Sequence, residues 1–409
     1  MNKALSILLS FLLITSPAYS ATVQHLHGGY PSNWGGGGSI SIHGITLISK
    51  SGTISGFWIK QSGVSGTAKT WTYTVYKNGS STSMTCAVSG ASDTACADST
   101  NTFTVAAGDY LHIVCAPTSA PNTVSVASDI AYTPDTSGDT IMYTNGPAQI
   151  NGPLNFGFNV STNPGYQNLG EDKTAIKIAS AGTIDNLRVV LSSTMAAGTS
   201  MAYTLYKNGA STSLTCTTSA ASSGCNDTSN SVSVSEGDKI SILQSALTGW
   251  PPNSNTRRIS VNFSPTSSGE WISGLSQIDA VTDLSTTNTE YVGIQDASNP
   301  NTTSTNETDL ARASTAKRIY VSLSTAPGSG KSRSFTLRQN NADTAITCTI
   351  SDTATNCNGA SDVSISDNDL LNVKTVPTST PAASDVTVSL AEYIAPTGGG
   401  ARRRIMVVA

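Results

Sequence analysis

Charged side chains are scarce in this chain. Asp, Glu, Lys and Arg make up 12% of its 409 residues, where an average domain has about 25%. The formal net charge of −4 at pH 7 is small and negative, so the sequence gives no reason to expect nucleic acid as a partner. Serine, threonine and asparagine supply the polar surface instead, which is typical of secreted β proteins.

Long apolar runs are absent after the first twenty residues, which excludes a helical transmembrane segment there. The apolar stretch 4–14 follows Lys3 and precedes Ala18, Tyr19 and Ser20. A basic start, a short apolar run and small residues before the cleavage point predict a signal peptide over 1–20. An uncleaved membrane anchor is the alternative. We expect the mature protein to be exported, and to be secreted or held at the cell surface.

Histidines are also few, and all four lie in the first part of the chain: His25, His27, His43 and His112. His25 and His27 would share one face of a strand, as half of a copper or zinc site, but no acid or cysteine stands at a matching spacing. A carboxylate pair such as Asp227 with Glu236 leaves a glycoside-active enzyme as an alternative. Acidic residues in such loops commonly form turns, so we expect no catalytic residue, metal or cofactor.

No segment combines a helical period with capping residues, and the chain alternates apolar and polar residues instead. The stretch 71–86 (WTYTVYKNGSSTSMTC) returns as 201–216 and, more loosely, as 333–348. Each copy runs into a tight turn and out again, with Asn-Gly at 78–79 and 208–209 and Asn-Asn at 340–341. This pattern predicts three β-hairpins with type I′ turns.

Further features repeat at the interval of a whole domain. Pro134, Pro265 and Pro396 stand 131 residues apart, and each repeat carries a strand, a turn ending in Asp109, Asp238 or Asp369, and another strand. The sequence therefore predicts an all-β protein of three tandem antiparallel β-sandwich domains. The expected bounds are 21–134, 135–266 and 267–397, followed by a Gly/Arg-rich tail at 398–409.

The Lys-Asn-Gly hairpin and the strand–Gly-Asp–strand stretch resemble the jelly-roll modules of the tumour necrosis factor and C1q superfamily. They are also similar to repeated β modules of phage fibres and bacterial surface proteins. The resemblance implies eight or more antiparallel strands in two sheets and a trimeric assembly. An immunoglobulin-like sandwich is the alternative, although no Cys…Trp…Cys spacing supports it.

Six of the seven cysteines form close pairs, one pair per module. In an exported chain this pattern predicts one local disulfide in each module, between Cys86 and Cys96, Cys216 and Cys225, and Cys348 and Cys357. The seventh, Cys115, is predicted to be a buried thiol rather than an interchain bridge.

Aromatic residues are only 6% of the chain, so exposed ones are candidates for binding. Trp58 occupies an outward position by alternation, and Trp250 precedes Pro251-Pro252 in a loop followed by Arg257 and Arg258. Either tryptophan could stack on a sugar ring or anchor a protein contact; capping of its own sandwich is the alternative.

The sequence favours an exported, non-catalytic surface or extracellular protein with a structural or adhesive role, and we expect it to assemble into a homo-oligomer or with neighbouring subunits. A carbohydrate-binding protein is the first alternative, and a glycoside-active enzyme is the second. The tail at 398–409 suits a strand that pairs with a neighbouring subunit or a sorting signal, with a disordered basic tail as the alternative.

Overall fold

A computed structural model describes residues 23–34, 40–41, 46–146, 154–156, 158, 175–245, 248, 256–275, 283–294, 300, 302–303 and 309–395. Every regular element among them is a β-strand, which confirms the predicted all-β class. Within these ranges there is no helix with the length and apolar character needed to cross a membrane.

The strands fall into three successive groups that match the repeats of the sequence. The first module contains β1 (Gln24–Trp34), β2 (Ile40–Ser41), β3 (Thr46–Leu47), β4 (Gly52–Gln61), β5 (Gly66–Lys77), β6 (Ser80–Gly90), β7 (Ala95–Asp98), β8 (Phe103–Val105), β9 (Tyr110–Thr118) and β10 (Val124–Pro134). The second contains β11 (Thr140–Gly146), β12 (Leu154–Phe156), β13 (Ile176–Lys177), β14 (Gly182–Leu191), β15 (Ser200–Lys207), β16 (Ala210–Ser219), β17 (Gly224–Val234), β18 (Lys239–Gln244) and β19 (Arg257–Pro265). The third contains β20 (Glu270–Leu275), β21 (Glu290–Val292), β22 (Asp309–Leu310), β23 (Ser314–Leu323), β24 (Gly328–Gln339), β25 (Ala342–Asp352), β26 (Asn356–Ile365), β27 (Leu370–Thr378) and β28 (Val386–Tyr393).

Each module consists of two antiparallel sheets with the same strand order. In the first module, sheet one runs β1-β10-β4-β7 with β8 also paired to β4, and sheet two runs β2-β9-β5-β6 with β3 also paired to β9. The second module repeats this as β11-β19-β14-β17 and β12-β18-β15-β16, and the third as β20-β28-β23-β26 and β21-β27-β24-β25. Each sheet draws all of its described strands from one module.

The core of each module lies between its two sheets. In the first module Phe57 and Ile59 of sheet one and Tyr73 and Val75 of sheet two are at most 1% exposed. The same positions hold Leu187, Val189, Tyr203 and Leu205 in the second module and Ile319, Val321, Phe335 and Leu337 in the third, all equally buried. The apolar alternation therefore predicts the buried faces of these strands correctly.

The hairpin turns have the predicted geometry. Asn78 and Gly79 adopt φ values of 52° and 80°, and Asn208 and Gly209 adopt 52° and 82°. In the third module two asparagines take the same conformation, with φ values of 50° and 65°. Positive φ at both central positions defines a type I′ turn, which matches the twist of the flanking strands.

Three disulfides are present, between the cysteines that the sequence pairs. They join Cys86 to Cys96, Cys216 to Cys225 and Cys348 to Cys357, with Cα–Cα distances of 5.7, 5.7 and 5.8 Å. In each module one cysteine lies on the edge strand of sheet two and the other on the edge strand of sheet one. A bond that is local in sequence therefore ties the two sheets together along their open side. Cys115 is buried, as predicted.

Candidate functional site

In each module an acidic, tightly organised turn precedes the second-to-last strand, between β8 and β9, between β17 and β18, and between β26 and β27. We call residues 106–109, 235–238 and 366–369 the acidic turns. In each turn the aspartate at the fourth position accepts a hydrogen bond from the backbone N–H at the first position. The distances are 2.9 Å to Asp109, 2.7 Å to Asp238 and 2.6 Å to Asp369. The third position has positive φ, which glycine supplies in two turns and Asn368 supplies in the third.

The hairpin asparagine of the same module clamps each acidic turn. Asn78 Nδ2 donates to Asp109 Oδ1 at 2.6 Å, and its Oδ1 accepts from the backbone N–H of Tyr110 at 2.9 Å. Asn208 makes the same two bonds at 2.7 and 2.8 Å, and Asn340 makes them at 2.6 and 3.0 Å. The two motifs that repeat in the sequence, about thirty residues apart, are therefore one structural unit.

The electrostatics of the first two turns follow from these contacts. Burial alone would raise the pKa of Asp109 and Asp238. The backbone hydrogen bond, the asparagine amide and a nearby lysine outweigh it, so both pKa values are lower than usual. Lys77 lies 3.5 Å from Asp109, and Lys207 lies 2.9 Å from Asp238. These carboxylates remain charged at neutral pH and hold the shape of the turn.

The acidic turn of the second module lies against β23 of the third. Glu236 forms an ion pair with Arg318 at 2.5 Å and accepts a hydrogen bond from the Tyr320 hydroxyl at 3.1 Å. A Cβ atom at Gly237 would lie 3.2 Å from that hydroxyl oxygen. Glycine at this position therefore serves both the turn and the close approach of the next module.

The acidic turn of the first module lies against the second. A Cβ atom at Gly108 would lie 3.4 Å from Nη1 of Arg188, on β14. Next to it, the guanidinium of Arg258 stacks on the ring of Tyr110 at 4.1 Å from the centroid. Lys50 of the first module also pairs with Asp139 of the second at 3.2 Å.

The acidic turn of the third module faces the first module across an open cleft of about 370 Å³. Its lining includes Trp58, Ala95, Ala97, Arg312, Asp367 and Asn368. The Arg312 guanidinium lies 3.8 Å from the centroid of the Trp58 ring and donates to Asp367 at 2.8 Å. Burial lowers the pKa of Arg312, while Asp367 and Asp129 act in the opposite direction.

Further into this interface, His25 Nδ1 lies 2.8 Å from Asp129 Oδ2, and both residues are buried. The His25 ring lies 6.1 Å from the rings of Trp58 of its own module and Trp271 of the third module. The interface between the first and third modules therefore combines aromatic rings with a buried histidine–aspartate contact.

The candidate ligand-binding residues expected from the sequence differ in their burial and in the groups that they contact. Trp58 points away from its own sandwich, as alternation predicts, but it is half-buried beneath Arg312 and packs over Gly56. Arg257, a binding candidate that follows the Trp250 loop, is only 1% exposed and lies by the Met201 sulfur, so its guanidinium belongs to the interior of the second module. Arg258 is half-buried on Tyr110.

Several other expectations concern residues outside those that the structure describes. They are the signal peptide at 1–20, His43, the side chain of His27, Trp250, Pro396 and the tail at 398–409. In the ranges given above, no group of three or more His, Cys, Asp or Glu residues is arranged to hold a metal ion.

The carboxylates of the enzyme alternative have separate structural partners. Asp227 accepts hydrogen bonds from the backbone N–H of Thr215 at 3.0 Å and from the Asn230 amide at 2.9 Å. Burial alone would raise the pKa of Asp227, but these bonds and others from neighbouring backbone lower it. Glu236 is bound by the third module, as described above. Each carboxylate thus stabilises a different part of the architecture.

Sequence reasoning did not single out Arg312, Asp129 or Asp367, although the repeat contains a signal for two of them. Arg312 stands where the strand registers place Ser49 and Ala179 in the other modules. Asp129 stands opposite Trp58 where the other modules have Ser260 and Ser389. A charge at a position that is small and uncharged in the sister modules marks a contact special to one interface.

The chain was compared with models of known protein families and with curated proteins, and it matches none of either. The assignment of function therefore depends on the contacts described above.

Proposed function

We propose that this chain is an exported, non-catalytic protein of the cell surface or extracellular space, in which three β-sandwich modules form a rigid structural or adhesive body. The observation that carries the proposal is that the few charged side chains described above serve to stabilise the fold. Asp109, Asp238, Glu236, Arg318 and Arg312 all hold turns or module interfaces together. A protein of this kind offers partners its shape and its Ser/Thr-rich surface.

The strand order supports a jelly-roll fold of the kind found in the tumour necrosis factor and C1q superfamily. In each module the first and last strands are neighbours in sheet one, and β4 and β5 and their counterparts lie in opposite sheets. Such connections are typical of a double-sheet jelly roll. The three disulfides are compatible with an extracellular protein, because such bonds persist in oxidising compartments.

One observation favours the carbohydrate-binding alternative. The cleft between the first and third modules brings Trp58 close to Asp367 and Asn368, and such polar groups hydrogen-bond sugar hydroxyls. However, the guanidinium of Arg312 already stacks on the Trp58 ring. Stacking of a sugar would require this arginine to move, so Trp250 is the better candidate for a glycan platform.

The proposal is tested by expressing the full chain in a bacterial host beside a matched control that lacks residues 2–20. We expect the full chain to leave the cytoplasm, to begin at Ala21 and to carry three disulfides, while the control stays inside. Retention of the full chain in the cytoplasm with reduced cysteines would refute export. Turnover of any member of a panel of aryl glycosides would refute the non-catalytic assignment.

A glycan array distinguishes the structural role from carbohydrate recognition. Binding that is present in the mature protein and lost in Trp250→Ala would replace the structural assignment with carbohydrate recognition. Lys317→Ala, which removes an ion pair within the third module, serves as the matched comparison, and we expect neither variant to change which glycans are bound.

A further inference from the structure

The outward position in the middle of the third strand across sheet one is occupied by a large side chain in every module. It is Trp58 in β4, Arg188 in β14 and Tyr320 in β23, each paired across the sheet with Asp129, Ser260 or Ser389. Arg188 lies on the acidic turn of the first module and Tyr320 lies on that of the second. Trp58 borders the acidic turn of the third module. The same position therefore meets the same turn at all three interfaces.

The short strands repeat this relationship. Strand β3 of the first module contacts β11 and β19 of the second, and β13 of the second contacts β23 and β28 of the third. Strand β22 of the third module contacts β1 and β10 of the first. Each module thus uses one surface, formed by its short strand and acidic turn, to contact sheet one of another module. An interface between two different surfaces is heterologous, and a heterologous contact that closes on itself generates a ring.

Individual bonds support all three interfaces. Gln24 of the first module bonds both the N–H and the C=O of Ile141 in the second, at 2.6 and 2.7 Å. Between the second and third modules, the Ser180 hydroxyl donates to Glu270 and Arg318 donates to the Ala179 carbonyl at 3.1 Å. Between the third and first, Arg312 stacks on Trp58 and is only 11% exposed.

The interface between the third and first modules differs in its chemistry. Strand register places Ile141, Ile272 and His25 at equivalent positions of the three modules. Ile141 packs into the core cluster of the first module, and Ile272 packs into that of the second. At the third interface the same position holds His25, bonded to Asp129. The side chain at this position is thus polar only at the interface between the third and first modules, which we call the closing interface because it joins the two modules that are not consecutive in the chain.

From this pattern we infer that the chain closes on itself into a ring with approximate three-fold symmetry, so that one copy fulfils the role of a trimer. The surfaces that would join three separate modules are all occupied within the chain. The mature protein is therefore a monomer, and its partners bind elsewhere than on the sides of the modules. Covalent connection favours this closure over pairing with a second copy, because the effective concentration of tethered modules is in the millimolar range or above.

The inference does not depend on export or on adhesion, and it predicts a definite size and shape. Light scattering of residues 21–409 should give the mass of one chain, close to the 42.0 kDa of the whole sequence, at all concentrations. Small-angle X-ray scattering should give a radius of gyration of about 21 Å, as expected for a compact body of this length, whereas three such modules in a line would give roughly 30 Å. A homotrimer or an extended particle in the wild type would overturn the inference.

The double variant Trp58→Ala, Arg312→Ala tests the closing interface directly. Loss of the stacked pair should open the ring, and the radius of gyration should increase by several ångströms. At high concentration the freed surfaces should join different chains, because an open heterologous contact continues from copy to copy. Retained disulfides and unchanged far-UV circular dichroism identify the variant as folded.

Lys317→Ala is the matched control, because Lys317 pairs with Asp362 of its own module at 2.8 Å. It should leave both mass and radius unchanged. A folded double variant that stays as compact as the wild type would overturn the assignment of Trp58 and Arg312 as the closing contact. If the double variant does not fold, the wild-type mass and radius decide the inference.

Discussion

Replacement of Asn208 by alanine should loosen the acidic turn of the second module. Asn208 joins two segments that are remote in sequence: its amide donates to Asp238 and its oxygen accepts from the Lys239 N–H. It also occupies the first central position of the hairpin turn with a φ of 52°. Alanine removes both hydrogen bonds and is strained in this left-handed conformation.

The expected magnitude follows from these terms. A hydrogen bond to a charged group contributes about 1.5–3 kcal/mol, and the partial exposure of this site places it near the lower end. Positive φ costs a non-glycine residue about 1–2 kcal/mol. We therefore expect Asn208→Ala to lower the stability of the second module by about 3 kcal/mol. Asn208→Gly removes the same bonds without the strain and should cost about 2 kcal/mol.

Hydrogen exchange measured by mass spectrometry reports the opening free energy of segments 203–212 and 236–242. A double-mutant cycle with Asp238→Ala isolates the clamp from other contacts of either residue. We expect a coupling of about 1 kcal/mol or more. Additive effects of the two substitutions would show that the asparagine and the aspartate do not stabilise each other, and the account of the clamp would be wrong.

Three further predictions concern other parts of the fold. Gly359→Ala should cost about 2 kcal/mol by overpacking and lower the melting temperature, since its Cβ would lie 2.3 Å from the Thr347 carbonyl oxygen; Gly63→Ala should be neutral, since its Cβ would lie at an ordinary contact distance of 3.9 Å from a Val124 methyl group. Arg333→Met should cost about 3 kcal/mol in urea denaturation, because the buried guanidinium bonds three backbone carbonyls; a neutral result would contradict this role. Burial alone would raise the pKa of Asp98, but hydrogen bonds from the Asn101 side chain and nearby backbone outweigh it and lower the pKa. The charged form thus stabilises the fold above the unfolded pKa, near 3.8, and the urea midpoint should fall below about pH 4, less steeply in Asp98→Asn.

The internal structure of the modules was predictable because it depends on short-range geometry. Alternation identified Phe57, Tyr203 and Leu337 as core residues, since side chains of a strand point to opposite faces in turn. The Asn-Gly turns followed from the need for positive φ at two adjacent positions. Close spacing identified the cysteine pairs, although it did not reveal that each pair bridges the edges of two sheets.

The sites between modules were not predictable in the same way. Alternation placed Trp58 outside its own sandwich, and it does lie there, but the sequence does not state that Arg312 of another module covers it. Within the second module, Arg257 was a binding candidate because it follows the loop that contains Trp250, and the fold buries it instead. Each case depends on how folded sheets pack against one another and against their loops. A local sequence pattern carries no information about this packing.

Backbone conformation and the polarity of neighbouring residues were enough to establish strands, turns, repeats and disulfide partners, because these properties act over a few residues along the chain. The joining of hairpin to acidic turn, and the contact of each turn with another module, were decided only in three dimensions. They bring together groups 30 to more than 200 residues apart, and such contacts arise from the relative orientation of whole sheets.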